Sequence, residues 1–504
     1  MAVATDFATP DAAPGTGEPD PKRWLALAVI AIAQLMVVLD ASIVTIALPS
    51  AQHALHISTD NRQWIVTAYT LSFGSLLLLG GRIADYVGRK RIFIVGLLGF
   101  AGASALGGVS VNAPMLFGAR ALQGAFGALL APAALSLITV TFTEVKERAT
   151  AFGVYGAIAG GGAAIGLIMG GVLTQFASWR WCLLVNVPIA GVAALFAVPL
   201  IRESRAHGNT SYDLPGAATV TGGLVVLVYG FTRAAESGWL SGITLTCLGV
   251  AAVLLAAFVV IELRTKHPLL PLRVVLERNR GGSFLSSFMV GAGLLGMFLF
   301  LTYYFQGNLG YSALRAGFAF LPFSVGIIVA AGAASKILPR TGPRSLMTAG
   351  FAAAALGMVW LSRIGPHSSY AVHVLPAEIL ISLGMGLAFV PMSSTALFGV
   401  GQHDAGVASA LVNTTQQVGG SLGTALLNTV AASVTATYLA TRIHTHANQQ
   451  AGTVHGYTVG FLIGAVCLAI AALSAAFLIT ASREDIAEMA TAIQAAPPNE
   501  PVPV

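Results

Sequence analysis

Three ionisable side chains lie deep in runs that are otherwise almost wholly apolar: Asp40 between Trp24 and Pro49, Arg120 in the run after Pro114, and Glu378 in Pro376-Ala377-Glu378. The first run is long enough, at about 1.5 Å per residue, to cross a hydrocarbon core about 30 Å thick. A carboxylate there costs roughly 2.5–3.5 kcal/mol on insertion scales, which makes an intramembrane acid a candidate functional group. The chemistry open to it is proton exchange. Desolvation favours the neutral acid and a nearby cation favours the anion, so a small movement can load or unload a proton. Arg120 is such a cation, unless its long side chain snorkels to the membrane surface about 9 Å away. Counted along their helices, Asp40, Arg120 and Glu378 fall about 11, 9 and 12 Å below the same membrane edge, in one layer. Ala41, Ser42 and Thr45 beside Asp40 suit a face packed in protein or turned to a water-filled cavity. An acid held by a neighbouring helix for packing alone is the alternative, for Asp40 and Glu378 alike.

Helices must position these groups. The chain has 504 residues, 56% hydrophobic and 9% charged, with a mean hydropathy of +0.80. Soluble domains carry about 25% charged residues, so the composition indicates an integral membrane protein. Its apolar runs are too long for barrel strands and lack their alternation, which leaves a helical bundle. Fourteen spans are expected, at 24–47, 63–82, 92–110, 115–138, 148–174, 181–201, 214–232, 241–263, 283–307, 314–338, 345–364, 372–399, 404–436 and 457–480. Of the 26 lysines and arginines, nineteen fall on the side of the N-terminus, six on the other, and Arg120 within a span. That bias puts both termini in the cytoplasm. It also accounts for the net charge of +6 without a nucleic-acid partner. Cys182, Cys247 and Cys467 sit in apolar segments, with neither disulfide nor metal spacing. Residues 1–21 read as a disordered tail without the pattern of a signal peptide, and 481–504 as a second polar tail.

Between the second and third spans stands Gly81-Arg82-Ile83-Ala84-Asp85-Tyr86-Val87-Gly88-Arg89-Lys90-Arg91, a loop whose glycines permit a tight turn and whose Asp85 can pair a cation or cap a helix. An echo runs from Ser335 to Arg344, 254 positions later, between the tenth and eleventh spans. Loops in matching places indicate an internal repeat of spans 1–6 in 9–14, with 7 and 8 inserted. In the fifth span Gly153 precedes Gly162, Gly166 and Gly170, the last three on one face, where small residues let helices approach closely. Trp179-Arg180-Trp181 and Asn186-Val187-Pro188 lead into the sixth, and Thr302-Tyr303-Tyr304-Phe305-Gln306 closes the ninth. In the thirteenth, Gly406, Ser409, Asn413, Gln416, Gln417 and Gly420 share a face that either lines a cavity or hydrogen-bonds helices together. An outer loop is expected over 437–456, its His444 and His446 too few for a metal site. A phosphate-cradling loop is absent, as is H-E-x-x-H, so neither ATP-driven pumping nor zinc hydrolysis is indicated.

Together these residues resemble the major facilitator superfamily, specifically its fourteen-span drug:proton antiporters of the QacA/EmrB type, over roughly residues 22–480. Asp40 with Ala47-Leu48-Pro49 is similar to that family's first-helix motif. The stretch holding Gly81, Asp85, Gly88 and Arg89 resembles its cytoplasmic gating motif, and Arg120 with Gln123-Gly124 its fourth-helix motif. Gly153, Gly162, Gly166, Gly170 and Gly171 match the glycines of its antiporter motif. The sequence departs at Leu167, where the family has a proline, and at Pro339, where an acid often stands. The resemblance implies an all-α membrane fold of two six-helix bundles, 22–201 and 283–480, with connectors and two inserted helices over 202–282. It implies a transporter rather than an enzyme, acting as a monomer in the cell membrane. Its work would be to exchange a small hydrophobic, cationic drug or antibiotic for protons by alternating access, with no cofactor beyond the proton gradient. Asp40 would carry the proton and Arg120 would be its switchable cation. To this the residues themselves add Glu378 for proton coupling, and a substrate cavity formed by Asp40, Arg120, Tyr303, Glu378, Asn413 and Gln417. A dedicated exporter of one metabolite, lipid or self-made antibiotic would share every one of these motifs.

Overall fold

The computed structural model describes residues 21–482, apart from 143, 206–212, 266–267, 271, 399–404 and 444. The two expected tails therefore lie almost wholly outside the described residues, as does His444. In a bilayer the backbone must satisfy its own hydrogen bonds, so each apolar run closes into a helix. In chain order these are α1 Arg23–Ala54, α2 Trp64–Val87, α3 Arg89–Gly108, α4 Ala113–Thr141, α5 Val145–Phe176, α6 Trp181–Leu200 and the pair α7 Leu214–Ser237 and α8 Gly242–Arg264. There follow α9 Arg278–Asn308, α10 Ala313–Thr341, α11 Pro343–Leu361, α12 Tyr370–Ala396, α13 Ala405–Ala440 and α14 His446–Leu478. Among the described residues thirteen helices are long and apolar enough to cross a membrane. The 32-residue α5 occupies the place of the remaining span.

Helices α1 to α6 pack on one another, chiefly α2 and α3 on α4 and α1 on α5; α9 to α14 do the same, with α9 on α13 and α14, and α12 between α10 and α11. These two groups meet along two seams, α2 against α13 and α5 against α10. The pair α7–α8 lies over the first seam, α7 touching both α2 and α13. Along α8 only Thr244, Ala251 and Glu262 are buried; Leu248, Leu254 and Leu255 pack on α7, and Leu245, Val250, Val253, Val259 and Val260 face outward.

Three expectations about connections are corrected. The stretch Gly81–Arg91 is no loop: α2 continues to Val87, α3 starts at Arg89, and only Gly88 separates them, at φ 128°. Its echo behaves alike, with Gly342 alone between α10 and α11, at φ 76°. Charged residues past the membrane edge continue a helix readily, and it takes a positive φ, which glycine adopts without strain, to turn the chain. The outer loop expected over 437–456 shrinks to the few residues between Ala440 and His446. Helix α6 is interrupted at Val185. Pro188 explains the break, because its ring clashes with the carbonyl four residues earlier and it has no N–H to offer.

Among the described residues, side-chain hydrogen bonds tie the two groups together toward the end remote from the termini. Arg62 Nε donates to Asn428 Oδ1 at 3.1 Å, Gln306 Nε2 to the Ile46 carbonyl at 2.9 Å, and Thr70 and Ser421 share a hydrogen at 2.6 Å. Asn428 Nδ2 in turn donates to the Thr59 carbonyl at 3.1 Å. At that end the two groups are closed on each other.

Candidate functional site

Five helices of the first group converge on Asp40. Arg120 Nη1 donates to Asp40 Oδ2 at 2.6 Å and to Gln123 Oε1 at 2.6 Å, while its Nε donates to the Ile65 carbonyl at 3.0 Å. Its guanidinium lies 4.3 Å above the Tyr69 ring. Asp40 Oδ1 accepts from Gln123 Nε2 at 2.6 Å and from Asn186 Nδ2 at 2.8 Å. Both amides also donate to Ser104 Oγ, at 3.1 and 3.0 Å, and that hydroxyl donates to the Leu183 carbonyl at 2.8 Å. Asp40 is 0% exposed and Arg120 1%. The arginine therefore does not snorkel; it neutralises the acid inside the bundle. Desolvation can outweigh the attraction of such a pair, but breaking it strands a buried charge. A small cavity lined by Val44, Leu48, Leu116, Trp179 and Cys182 borders Arg120.

The glycine face of α5 holds the helix of Asp40 in place. Gly162 lies against Leu35 and Val38, Gly166 against Ser42 and Leu39, and Gly170 against Ile43. A Cβ on Gly170 would stand 2.8 Å from the Ile43 carbonyl oxygen. Gly171 faces the other group: its Cβ would stand 2.7 Å from the Cα of Leu314 in α10. Gly153 touches nothing comparable. At the Gly81–Arg91 stretch, Arg89 Nε donates to Asp85 Oδ1 at 2.9 Å across the Gly88 turn, and Glu203 accepts the N–H groups of Lys90 and Arg91 at the start of α3.

The remaining candidates are dispersed. Glu378, 0% exposed, lies in the second group with Oε2 3.3 Å from the Tyr370 hydroxyl and Oε1 unpartnered. The same hydroxyl donates to the Ala319 carbonyl at 2.7 Å. The tyrosine hydroxyl carries one hydrogen, which these two acceptors share, the nearer carbonyl holding it more firmly. π-helical turns at Tyr304–Asn308 and Tyr370–Val374 bring Phe305 within 5.8 Å of Tyr370 and 6.0 Å of Tyr311, ring to ring. Such turns recur at functional sites. Tyr303 is buried beneath Arg62, whose guanidinium is 4.0 Å from its ring. Gln417 is half-buried, with its Cβ 2.9 Å from where a Cβ on Gly74 would be, and Asn413 is exposed.

Sequence reading missed three partners and one pattern. Helix packing brings Asn186 into hydrogen bond with Asp40, and Ser104 beneath the two amides that hold it. Arg62, counted as an outer-loop charge, is buried between the groups. Beside it burial, then the charge of Glu236, pushes the Asp60 carboxyl up, with Arg62 opposing. Finally, Gly419-Gly420-Ser421-Leu422-Gly423 has the form G-x-S-x-G, yet it lies within α13 rather than at a strand-to-helix elbow, and Ser421 bonds Thr70 and the Gln417 carbonyl. It is a packing site.

Residues 30–424 match the sequence profile of the Major Facilitator Superfamily. The chain is 53% identical over 416 residues to the puromycin resistance protein of Streptomyces alboniger, covering 82% of each. It is 40% identical to the cephamycin export protein CmcT of Amycolatopsis lactamdurans, over 81% of this chain and 85% of that one. With the multidrug efflux pump LfrA of Mycolicibacterium smegmatis it shares 32% identity over 83% and 82%. Its fold is similar to that of a bacterial homologue of the human lysosomal transporter Spinster, in an inward-facing and unoccupied conformation. The TM-score is 0.64 and the identity 15%, over 93% of this chain and 98% of that one.

Proposed function

The chain belongs to the major facilitator superfamily, and on that premise we propose that it expels antibiotics or other drugs from the cell in exchange for protons, by alternating access. The observation that carries this reading is the buried Asp40–Arg120 pair, 2.6 Å apart and closed off from water. Protonating Asp40 removes its negative charge, frees Arg120 from its partner and loosens the tie between α1 and α4. Helix α1 also carries the face on which α5 rests, and α5 reaches the second bundle through Gly171, so the change is handed across the seam. The excess of lysine and arginine on one side supports a cell-membrane protein with both termini in the cytoplasm. The closed end then faces outward. In everted vesicles, adding puromycin is expected to release protons from the parent protein. Asp40→Asn is expected to insert normally and to release none. A mutant that keeps drug-driven proton release would leave the carboxylate a structural group.

A narrower reading, export of one self-made antibiotic, draws support from the relatives named for single compounds. Transport of puromycin but of no cephamycin or lincomycin in the same vesicles would favour it.

Glu378, with its spare oxygen and surrounding rings, is the second acid of the coupling, open to a proton or a cationic drug. Glu378→Gln is expected to weaken efflux of cationic substrates about tenfold, the equivalent of about 1.4 kcal/mol, while sparing neutral ones. Equal efflux of both would take Glu378 out of the site. At the outer closure, Arg62→Ala removes both the bond to Asn428 and the cation over Tyr303. A cysteine at Thr424, one turn deeper on α13 and buried, is then expected to react several-fold faster with an impermeant thiol reagent in intact cells. No change in labelling would show that Arg62 does not hold this end shut.

A further inference from the structure

Asp40 has two amide neighbours, and they are not equivalent. Gln123 is fully used: its Oε1 accepts from Arg120 and its Nε2 donates to Asp40 and Ser104. Asn186 is used at one end only. Its Nδ2 donates to Asp40 Oδ1 at 2.8 Å and to Ser104 Oγ at 3.0 Å, while its Oδ1 is buried without a partner. Asn186 itself is 0% exposed. A buried acceptor left empty costs about 1–3 kcal/mol, so it calls for an explanation. It opens the Asn186–Leu200 helix, directly after the break at Val185.

We propose that Asn186 is the positioning residue that holds Asp40 in both of its protonation states. With Asp40 ionised, the amide donates to the carboxylate, as seen. When a proton adds to the carboxylate, the new O–H needs an acceptor, and no donor group can supply one. Rotation of the Asn186 carboxamide by half a turn exchanges Nδ2 for Oδ1 and presents that acceptor to Asp40. The rotation gives up the 3.0 Å bond from Nδ2 to Ser104 Oγ, a hydroxyl that keeps Gln123 and Leu183 as partners, and deprotonation reverses it. The groups facing Asp40 that carry charge or can titrate are Arg120 from α4, Tyr69 from α2 and Cys182 from α6. Ser104 from α3 and the glycine face of α5 add none. Neither the tyrosine nor the thiol contacts the carboxylate, which leaves Asn186 as the amide free to respond.

This inference rests on the reading of Asp40 as the proton carrier, and the experiment separates the two. Full-length protein in proteoliposomes is compared as parent, Asp40→Asn, Asn186→Leu and Asn186→Gln. Leucine has the branching of asparagine, with methyl groups in place of the amide oxygen and nitrogen, and no polar atom. Two quantities are read: the pH midpoint of drug-driven proton release, and the infrared C=O stretch of the protonated carboxyl assigned by its loss in Asp40→Asn. Hydrogen bonds to a charged group are the stronger ones, so losing the donor outweighs losing the acceptor. Asn186→Leu is therefore expected to move the midpoint up by about half to one pH unit and to raise the C=O frequency as the acid loses its acceptor. Asn186→Gln, which keeps the amide, is expected to recover part of both changes. Thermal melting of each variant identifies any that fail to fold, and Asn186→Gln then carries the test. An unmoved midpoint with an unmoved band, or a midpoint that falls, overturns the role of Asn186 while leaving Asp40 in place. Proton release that survives Asp40→Asn removes the coupling reading, and this inference with it.

Discussion

Arg120→Ala is expected to cost the protein about 3–5 kcal/mol of stability, because it leaves the Asp40 carboxylate buried with no cation. Measured as resistance to denaturant in detergent, that is the largest loss expected of any single change in the first bundle. The double variant Asp40→Asn, Arg120→Gln exchanges the ion pair for two neutral amides among the same neighbours, Gln123, Ser104 and Asn186. It is expected to recover most of the stability and none of the drug-driven proton release. Stability and coupling thus part company at one pair of residues. Should Arg120→Ala melt like the parent, the two side chains do not depend on each other in the way their 2.6 Å contact indicates.

Gly166→Leu is expected to abolish transport, whereas Leu167→Pro keeps most of it. A Cβ on Gly166 would overlap Ser42 Oγ and stand 3.1 Å from the Leu39 carbonyl oxygen, so α1 must move away from α5, carrying Asp40 with it. Overpacking of this kind costs about 1–3 kcal/mol or more. Leu167 is different. Its side chain is buried, but what it offers the second bundle is its carbonyl oxygen, 2.5 Å from where a Cβ on Gly317 would be. A proline keeps that carbonyl, removes one N–H bond within the helix and bends it against the carbonyl four residues earlier, changes that packed membrane helices absorb. Vesicle transport rates for the two variants, at matched expression, decide the matter. Equal loss would mean that the helical bond at 167 matters as much as the glycine face.

Much of this was legible because the membrane simplifies the code. A run of apolar residues of sufficient length has one structural solution, and the placement of lysine and arginine follows from topology rather than packing. The glycines of α5 were legible for a related reason, since a repeat of four along a helix defines a face before any partner is known. Helix ends were less so. Nothing in the polarity of Arg82, Asp85 or Lys336 announces that α2 and α10 run on until Gly88 and Gly342. Partners were least legible of all. That Asn186 reaches Asp40 depends on the relative rotation of two helices well over a hundred residues apart in sequence. Only the proline after it, which breaks α6, hinted that an amide in an apolar run had been set aside for a task. Arg62 was misjudged for the opposite reason: an arginine in a short connection is usually solvated, and this one is covered by the rings of the other bundle.

The inserted helix α7 is tied to both halves by adjacent residues. Gln63 Nε2 donates to Thr232 Oγ1 at 2.9 Å from the α2 side, and Thr429 Oγ1 donates to the Phe231 carbonyl at 2.9 Å from the α13 side. Two anchors a single residue apart tie α2 and α13 to one short stretch of α7, so the extra pair of helices bridges the first seam as a clasp, while α5 and α10 meet directly along the second.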